Sequence, residues 1–270
     1  MKPVKYVFVV LAFRTGRDIP AFVQSVASKF DSYRIVVVNS FFSQQSLEEI
    51  AEIAKENDCD FIPIENKGYG YGNNVGIKYA QEHYDYEYLI VANADIEIQK
   101  ADLSCLDPDV VNAPLIRTMT GKKQNPYWAC RNKLGEWLIF RGFKNHSRLC
   151  LIMGQGMNKV IRELMMFCFL HSKRQRSRVY AAHGSFLIFP KTILERISPV
   201  FDENMFLYYE EAFLARKLRQ MGIGIVLQKG ISILHFADGS TKGSNLDLSP
   251  YVRESFLYYY STGSRSRSLR

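Results

Sequence analysis

The residues of this 270-residue chain best suited to chemistry are a few carboxylates and histidines at the ends of apolar runs. Asp95 follows Tyr88-Leu89-Ile90-Val91-Ala92 in the segment Asn93-Ala94-Asp95. A carboxylate at the end of a buried strand can hold a divalent cation, and such a cation neutralises a departing diphosphate. An Asp there is equally at home as a turn or N-cap residue. Glu97, two residues on, either helps or faces solvent. Glu210 and Glu211 are adjacent and follow Phe206-Leu207-Tyr208-Tyr209. Apolar surroundings raise a carboxyl pKa and suit it to general-base work; acids also collect in the first turn of a helix for its dipole alone. His235 ends the run Ile231-Ser232-Ile233-Leu234, as a metal ligand or as a hydrogen-bonded structural histidine. His183-Gly184-Ser185-Phe186 is a turn entering a strand.

A Gly-rich segment, Asn66-Lys67-Gly68-Tyr69-Gly70-Tyr71-Gly72-Asn73-Asn74-Val75-Gly76, lies upstream. Glycines let backbone approach a ligand closely, and a helix start can receive anionic oxygens. A dinucleotide-binding turn with Asp95 as the ribose acid is one reading. The glycine spacing and the position after a third strand oppose it. A tight turn without a ligand is the other.

These residues need elements to carry them. Tyr6 to Leu11 and Arg34 to Val38 are continuous apolar runs, the pattern of strands covered on both faces. Ile19 to Phe30 has helical spacing, with Asp18 as N-cap and Pro20 in the first turn. Ser46 and Glu49 form a capping box for a helix running to Asn57. Phe61-Ile62-Pro63-Ile64 is a third strand, placed at an edge by its proline. A helix over 73–83 and the strand 88–92 complete β-α-β-α-β-α-β, which predicts a parallel sheet with helices on both faces. Ligands of such sheets bind beyond the carboxyl ends of the strands, which here hold Phe13-Arg14, Asn39-Ser40, Asn66-Lys67-Gly68 and Asn93-Ala94-Asp95.

The second half is less regular. Residues 117–144 show no clear periodicity, and 149–170 form an apolar helix, either partly buried or lying in a membrane interface. Its glycines and charges exclude a transmembrane span. A strand over 185–189, a helix over 205–221 closed by Gly222, and short strands over 223–227 and 231–235 follow. One domain over 1–240 is expected, with a basic apolar insertion at 117–178, then a C-terminal helix and basic tail over 241–270. The run Tyr251 to Tyr260 packs on that domain or rests at an interface. Hydrophobic residues at 47% allow a substantial core, and five cysteines without C-x-x-C spacing point to reduced, mostly buried thiols of a cytosolic protein. The net charge of +8 is concentrated in 117–178 and in Arg265, Arg267 and Arg270. It suits a phosphorylated substrate or an anionic membrane face; no nucleic-acid-binding motif accompanies it.

Taken in order, the 66–76 turn, Asn93-Ala94-Asp95, His183-Gly184-Ser185-Phe186, Phe206 to Leu214 and His235 resemble glycosyltransferase family 2, in its rhamnosyltransferase-like branch. The resemblance runs from Tyr6 to His235 with a gap over 117–178. It implies an α/β GT-A fold, a mostly parallel central sheet flanked by helices, with a Mg2+ or Mn2+ cofactor and inverting transfer. The implied donor is a UDP- or dTDP-linked sugar such as rhamnose or galactose, and the acceptor a saccharide or lipid-linked oligosaccharide. The implied setting is capsule or O-antigen synthesis in the cytoplasm, peripheral on an anionic inner face of the plasma membrane.

By the resemblance, Asp95 and His235 bind the metal, Glu211 is the catalytic base and Glu210 stands beside it. Phe13, Asn39, Gly68, Asn73, Asn74, Asn93 and Asp95 line the nucleotide-sugar site, and Gly184 and Ser185 the acceptor side. The sequence departs from the family where Ala12-Phe13-Arg14 replaces Thr-Tyr-Asn, Asn39 replaces the base-reading Asp, Ala94 replaces Pro, Glu211 replaces Asp and Phe213 replaces a second Asp. Two other readings are a non-catalytic sugar-nucleotide-binding partner of another transferase and a dinucleotide-dependent enzyme.

Overall fold

The computed structural model describes residues 1–236 and 248–265. The end of the expected catalytic domain and start of the tail (237–247), and Arg267 and Arg270, lie outside the described residues. In chain order the elements are β1 (Lys2–Pro3), β2 (Tyr6–Phe13), α1 (Ile19–Ala27), β3 (Tyr33–Ser40), α2 (Gln44–Glu56), β4 (Asp60–Ile64), α3 (Tyr69–His83), β5 (Tyr84–Asp85), β6 (Tyr88–Ala92) and β7 (Ile96–Ala101). Then come β8 (Val111–Thr118), α4 (Lys133–Lys144), α5 (Arg148–His171), β9 (Arg176–Val179), β10 (Phe186–Pro190), α6 (Lys191–Ile197), α7 (Glu210–Gln220), β11 (Ile225–His235) and α8 (Ser249–Arg265).

The main sheet runs β4-β3-β2-β6-β10-β8-β11-β7, with β9 beside β11. The first four strands are parallel, and β4 with Pro63 is an edge. The chain winds outward from β2 to β4 and returns to the other side of β2 at β6, which makes the β2/β6 boundary the switch point where such sheets open a ligand crevice. Beyond β6 the sheet becomes mixed: β10 is antiparallel to β6 and β8, and β7 to β11. Alternate residues of β2 enter opposite cores, Val7 and Val9 toward α3, Phe8 and Val10 toward α1. That two-sided burial is why these runs lack polar alternation.

Several boundaries differ from the sequence reading. Helix α2 begins earlier, capped by Ser43, with Ser46 as its reciprocal partner in the box. Asp18 precedes α1 without a side-chain cap bond. Helix α3 starts at Tyr69 and absorbs most of the glycine turn. A Cβ on Gly72 would stand 2.4 Å from Leu11 Cδ1, and one on Gly76 2.4 Å from Val9 Cγ1. These glycines seat the helix on β2, a packing role that accounts for them without a pyrophosphate and weighs against the dinucleotide reading. The expected helix over 205–221 begins only at Glu210, because Tyr208 and Tyr209 take positive φ (75° and 68°) and turn the chain. The two expected strands over 223–235 are one, β11, with a register shift between Gln228 and Ser232 against β8.

The segment expected to be irregular holds α4, which pairs with α5 as a helical hairpin. Their contact runs through glycine: a Cβ on Gly154 would lie 2.7 Å from Gly135 O. Helix α8 packs on the domain, with Phe256 and Tyr259 fully buried and the Tyr259 hydroxyl donating to Glu136 Oε1 at 3.2 Å. No described helix is long and apolar enough to cross a membrane. The five cysteines carry free thiols, but they are not mostly buried as expected: Cys130 and Cys168 are exposed and Cys59, Cys105 and Cys150 half-buried.

Candidate active site

Strand β6 delivers Asp95 to the crevice, and β11 brings His235 beside it through pairing with β7, where His235 faces Ile96. His235 Nε2 stands 3.2 Å from Asp95 Oδ1, both residues buried. On the other side of the ring, Nδ1 donates to Gln124 Oε1 at 2.6 Å. With that proton held by Gln124, the nitrogen facing Asp95 makes the contact either through a second imidazole proton or through a cation in its place. Burial pushes the Asp95 carboxyl upward, but the hydrogen bond and charge of His235 outweigh it, and the net shift is downward.

A carboxylate oxygen suits either Mn2+ or Mg2+, while an imidazole nitrogen is accepted better by the softer Mn2+, so of the implied metals this pair fits Mn2+ best. Among the described residues no third His, Cys, Asp or Glu joins them, so phosphate oxygens or water would fill the remaining positions. Glu97 is exposed and accepts from Gln99 Nε2 at 3.1 Å, turned away from this chemistry.

The segment His183-Gly184-Ser185 joins the pair to the acids. Asn93 N–H donates to Ser185 O at 3.0 Å, and Gly184 N–H donates to Glu211 Oε1 at 3.1 Å. The Tyr69 hydroxyl donates to Gly184 O at 3.0 Å, tying α3 to the same residue. His183 Nδ1 accepts from Ser185 N–H at 3.2 Å, which places the proton of the neutral ring on Nε2. Burial and then the charge of His235 push the His183 pKa down to about 4. Its ring centroid lies 5.7 Å from that of His235.

Glu210 and Glu211 open α7 just past the strained Tyr208-Tyr209 turn, where the helix dipole favours negative charge. Desolvation nevertheless raises the pKa of both. Glu210 is pushed up to about 8 by burial and by the neighbouring charge of Glu211, and its Oε1 has no partner. Glu211 is the more accessible of the two.

At the ends of β2 and β3 lies a second group of unsatisfied polar atoms. Asn39 is fully buried with neither amide atom bonded, and the Ser40 hydroxyl and Arg14 Nε are likewise buried without partners. Phe13 pairs with Ser40 across the strands. The Arg14 guanidinium lies over Phe13 and Phe42, 5.2 and 4.7 Å from their ring centroids, on a backbone at φ 69°. Buried polar atoms normally find partners, so such a cluster marks a place built for a ligand. Asn73 Nδ2 donates to Tyr69 O, while its Oδ1 is unpartnered.

Two expected donor-site residues have other duties. The Asn74 amide donates to Phe201 O and Glu203 Oε1 and accepts from Phe201 N–H, bracing the 201–203 segment. Gly68, at φ 105°, lies against Phe206, whose carbonyl accepts from Tyr69 N–H. The start of α3 is therefore partly closed to anions.

The sequence reading missed Gln124 and Asn125. Asn125 Oδ1 accepts from His183 N–H at 2.7 Å, and its Nδ2 donates to Pro114 O. Two consecutive amide residues inside an aperiodic stretch were the available signal.

The architecture is the GT-A fold. Residues 7–106 match the profile of glycosyl transferase family 2. The chain is 25% identical over 214 residues to the low-salt glycan biosynthesis hexosyltransferase Agl10 of Haloferax volcanii, covering 74% of this chain and 58% of that protein. Among solved structures it superposes on GalNAc-T7 with UDP, GalNAc and Mn2+ at a TM-score of 0.62 and 13% identity, covering 96% of this chain and 48% of the other. The mannosyltransferase PcManGT of Pyrobaculum calidifontis with GDP-Man and Mn2+ gives 0.52 and 14%, covering 89% and 58%. The chain thus spans about half the length of these relatives. The profile match includes Asn39, Asn73 and Asp95 and ends before Glu211 and His235.

Proposed function

We propose that this protein transfers a sugar from a nucleotide-diphosphate sugar to a hydroxyl of a saccharide or lipid-linked oligosaccharide, with inversion at the anomeric carbon. The Asp95–His235 contact carries the reading, because a carboxylate and an imidazole converge at the switch point one short segment away from Glu211. A divalent cation held by Asp95 and His235 would offset the charge of the leaving diphosphate.

The protein's own groups do the rest. Asn39, Ser40, Arg14 and Phe13 hold the nucleoside end, their unpaired atoms waiting for donors and acceptors. Asn73 and Asn93 line the path toward Asp95. Gly184 and Ser185 form the acceptor wall. Glu211 takes the proton of the acceptor hydroxyl as that oxygen attacks the anomeric carbon, and the bond to the diphosphate breaks with its electron pair leaving on the phosphate oxygen. Desolvation suits Glu211 to accept a proton. Glu210, more deeply buried, sets the field in which Glu211 works.

The donor is a UDP- or dTDP-linked sugar, rhamnose or galactose among the candidates, and the product belongs to cell-surface polysaccharide synthesis at the inner face of the plasma membrane. The charge distribution supports that setting: residues 131–178 hold eleven Lys and Arg against two Glu, a net +9, while the whole chain is +8.

The test is turnover of a panel of nucleotide-sugars with and without Mn2+. Wild type is expected to consume at least one of them, and Asp95→Ala and Glu211→Gln to lose transfer by about 10²–10⁴-fold with unchanged folding. A Glu211→Gln protein at near wild-type rate would remove the base assignment. Consumption of none, with or without Mn2+, would leave the non-catalytic reading in its place.

A further inference from the structure

Helix α5 is apolar on two opposite faces. Its inner face, with Gly154, Met166 and Phe169, is buried against the domain. Its outer face carries Leu149, Ile152, Met153, Val160, Leu164 and Phe167, between 49 and 67% exposed. At 3.6 residues per turn these six fall within an arc of about 120° along a helix about 36 Å long. Gly156 and Glu163 lie in the same arc: a Cβ on Gly156 would meet nothing within 4 Å, and the Glu163 carboxylate is paired with Arg162, 3.0 Å away, and with Lys123. Scattered exposed Leu or Ile residues are ordinary on a protein surface; a single continuous stripe marks a contact face. On α4, Leu134 and Trp137 are exposed as well.

The charges around the stripe identify what covers it. Exposed Arg148 and Lys159 lie along one flank, and exposed Lys173 and Arg174 follow the C-terminal end. A second copy of the chain, docked through this face, would bring two +9 segments together. An anionic lipid surface has the opposite charge and an apolar layer beneath it. An apolar arc flanked by Lys and Arg, on a helix that does not span, is the pattern of a helix lying in the headgroup layer.

We propose that the outer face of α5 is the membrane-contact surface of this protein, resting on an anionic bilayer with Leu149 to Phe167 among the acyl chains. This deepens the membrane setting of the proposed function and rests on it, by naming the residues that make the contact. The helix does not float free: Lys123 Nζ lies 4.0 Å from Glu163 Oε2 on α5, and the next residue, Gln124, holds His235. The bound face and the metal pair are thus fixed within one rigid neighbourhood, which suits an acceptor presented from the same bilayer.

The experiment is co-sedimentation of the whole protein with vesicles of phosphatidylcholine alone or mixed with phosphatidylglycerol. Wild type is expected to bind the mixed vesicles, and less so as salt rises. Leu164→Glu combined with Phe167→Glu should weaken that binding about tenfold or more. Both side chains point to solvent, so folding and the turnover of soluble nucleotide-sugar should be unchanged. Turnover measured on the same preparations separates a failure of this surface from a failure of the transferase reading. No binding by wild type, or equal binding by the double variant, would overturn the proposal. So would a wild-type dimer that the double variant turns into a monomer without change in vesicle binding.

Discussion

The parallel strands of the N-terminal half and the α4–α5 hairpin place their large apolar side chains in opposite ways. In β2, β3 and β6 the Val, Ile and Leu residues are interior on both faces, and what emerges at the strand ends is Arg14, Asn39 and Asp95. In the hairpin, glycines make the contact between the helices and Leu138, Ile139, Met166 and Phe169 turn inward, yet six large apolar side chains of α5 stand outside. The first region is organised around what it encloses, the second around what it lies against. The same apolar composition serves both, and only the packing tells them apart.

That contrast can be broken by substitution. Gly76→Val presses two methyls into Val9 and Val38, whose nearest atoms already lie 2.4 and 2.8 Å from a Cβ there. It should cost about 3 kcal/mol in a denaturant titration. Leu164→Ser, a comparable change of size on α5, should stay within about 0.5 kcal/mol. Equal losses at the two sites would mean that the stripe is interior to something in the free protein.

The contrast is sharpened at Gln124, in the loop between the two regions. Gln124→Leu keeps the volume and removes the acceptor for His235 Nδ1. Mn2+ binding in the presence of UDP, followed by calorimetry, should weaken about 10–100-fold. Retained affinity would show that the ring is oriented by its strand alone.

The last expected effect is one of pH dependence, at Glu210. Its pKa is raised from 4.5 to about 8 in the folded protein, so between those values the native state holds a proton that the unfolded chain has released. The stability it contributes is complete below 4.5 and is lost as pH rises through 8. Glu210→Gln should therefore melt close to wild type in acid and increasingly above it toward alkaline pH. A melting difference that does not change with pH would contradict the burial of this carboxyl.

Much of this was legible in the sequence because periodicity reports burial. The runs 6–11, 34–38 and 88–92 are apolar without alternation, and that alone implies strands covered on both sides. Asp95 and His235 were legible as candidates because each ends such a run. Their 3.2 Å approach was not, since it depends on β7 and β11 pairing across 140 residues of chain. The start of α7 was misplaced because positive φ at two tyrosines has no compositional signal; glycine would have announced it, and tyrosine conceals it. The glycines of 68–76 were visible, but their reason was not. A glycine needed for docking on Val9 looks the same in sequence as one needed for a phosphate. The face of α5 followed the same rule: its apolar content was plain, and which half met water required knowing where Gly154 packed.

Gly184 has one more consequence. Its carbonyl and its N–H belong to different peptide planes, so the amide shared with Ser185 is held by the hydroxyl of Tyr69 and the amide shared with His183 is held by Glu211. A hydrogen bond to an ionised carboxylate is about twice as strong as one to a neutral group. When Glu211 takes a proton, its hold on that amide slackens, while Tyr69 keeps its own. The His183–Gly184 amide therefore reports the charge of this carboxyl, drawn tight while Glu211 is ionised and eased once it is protonated.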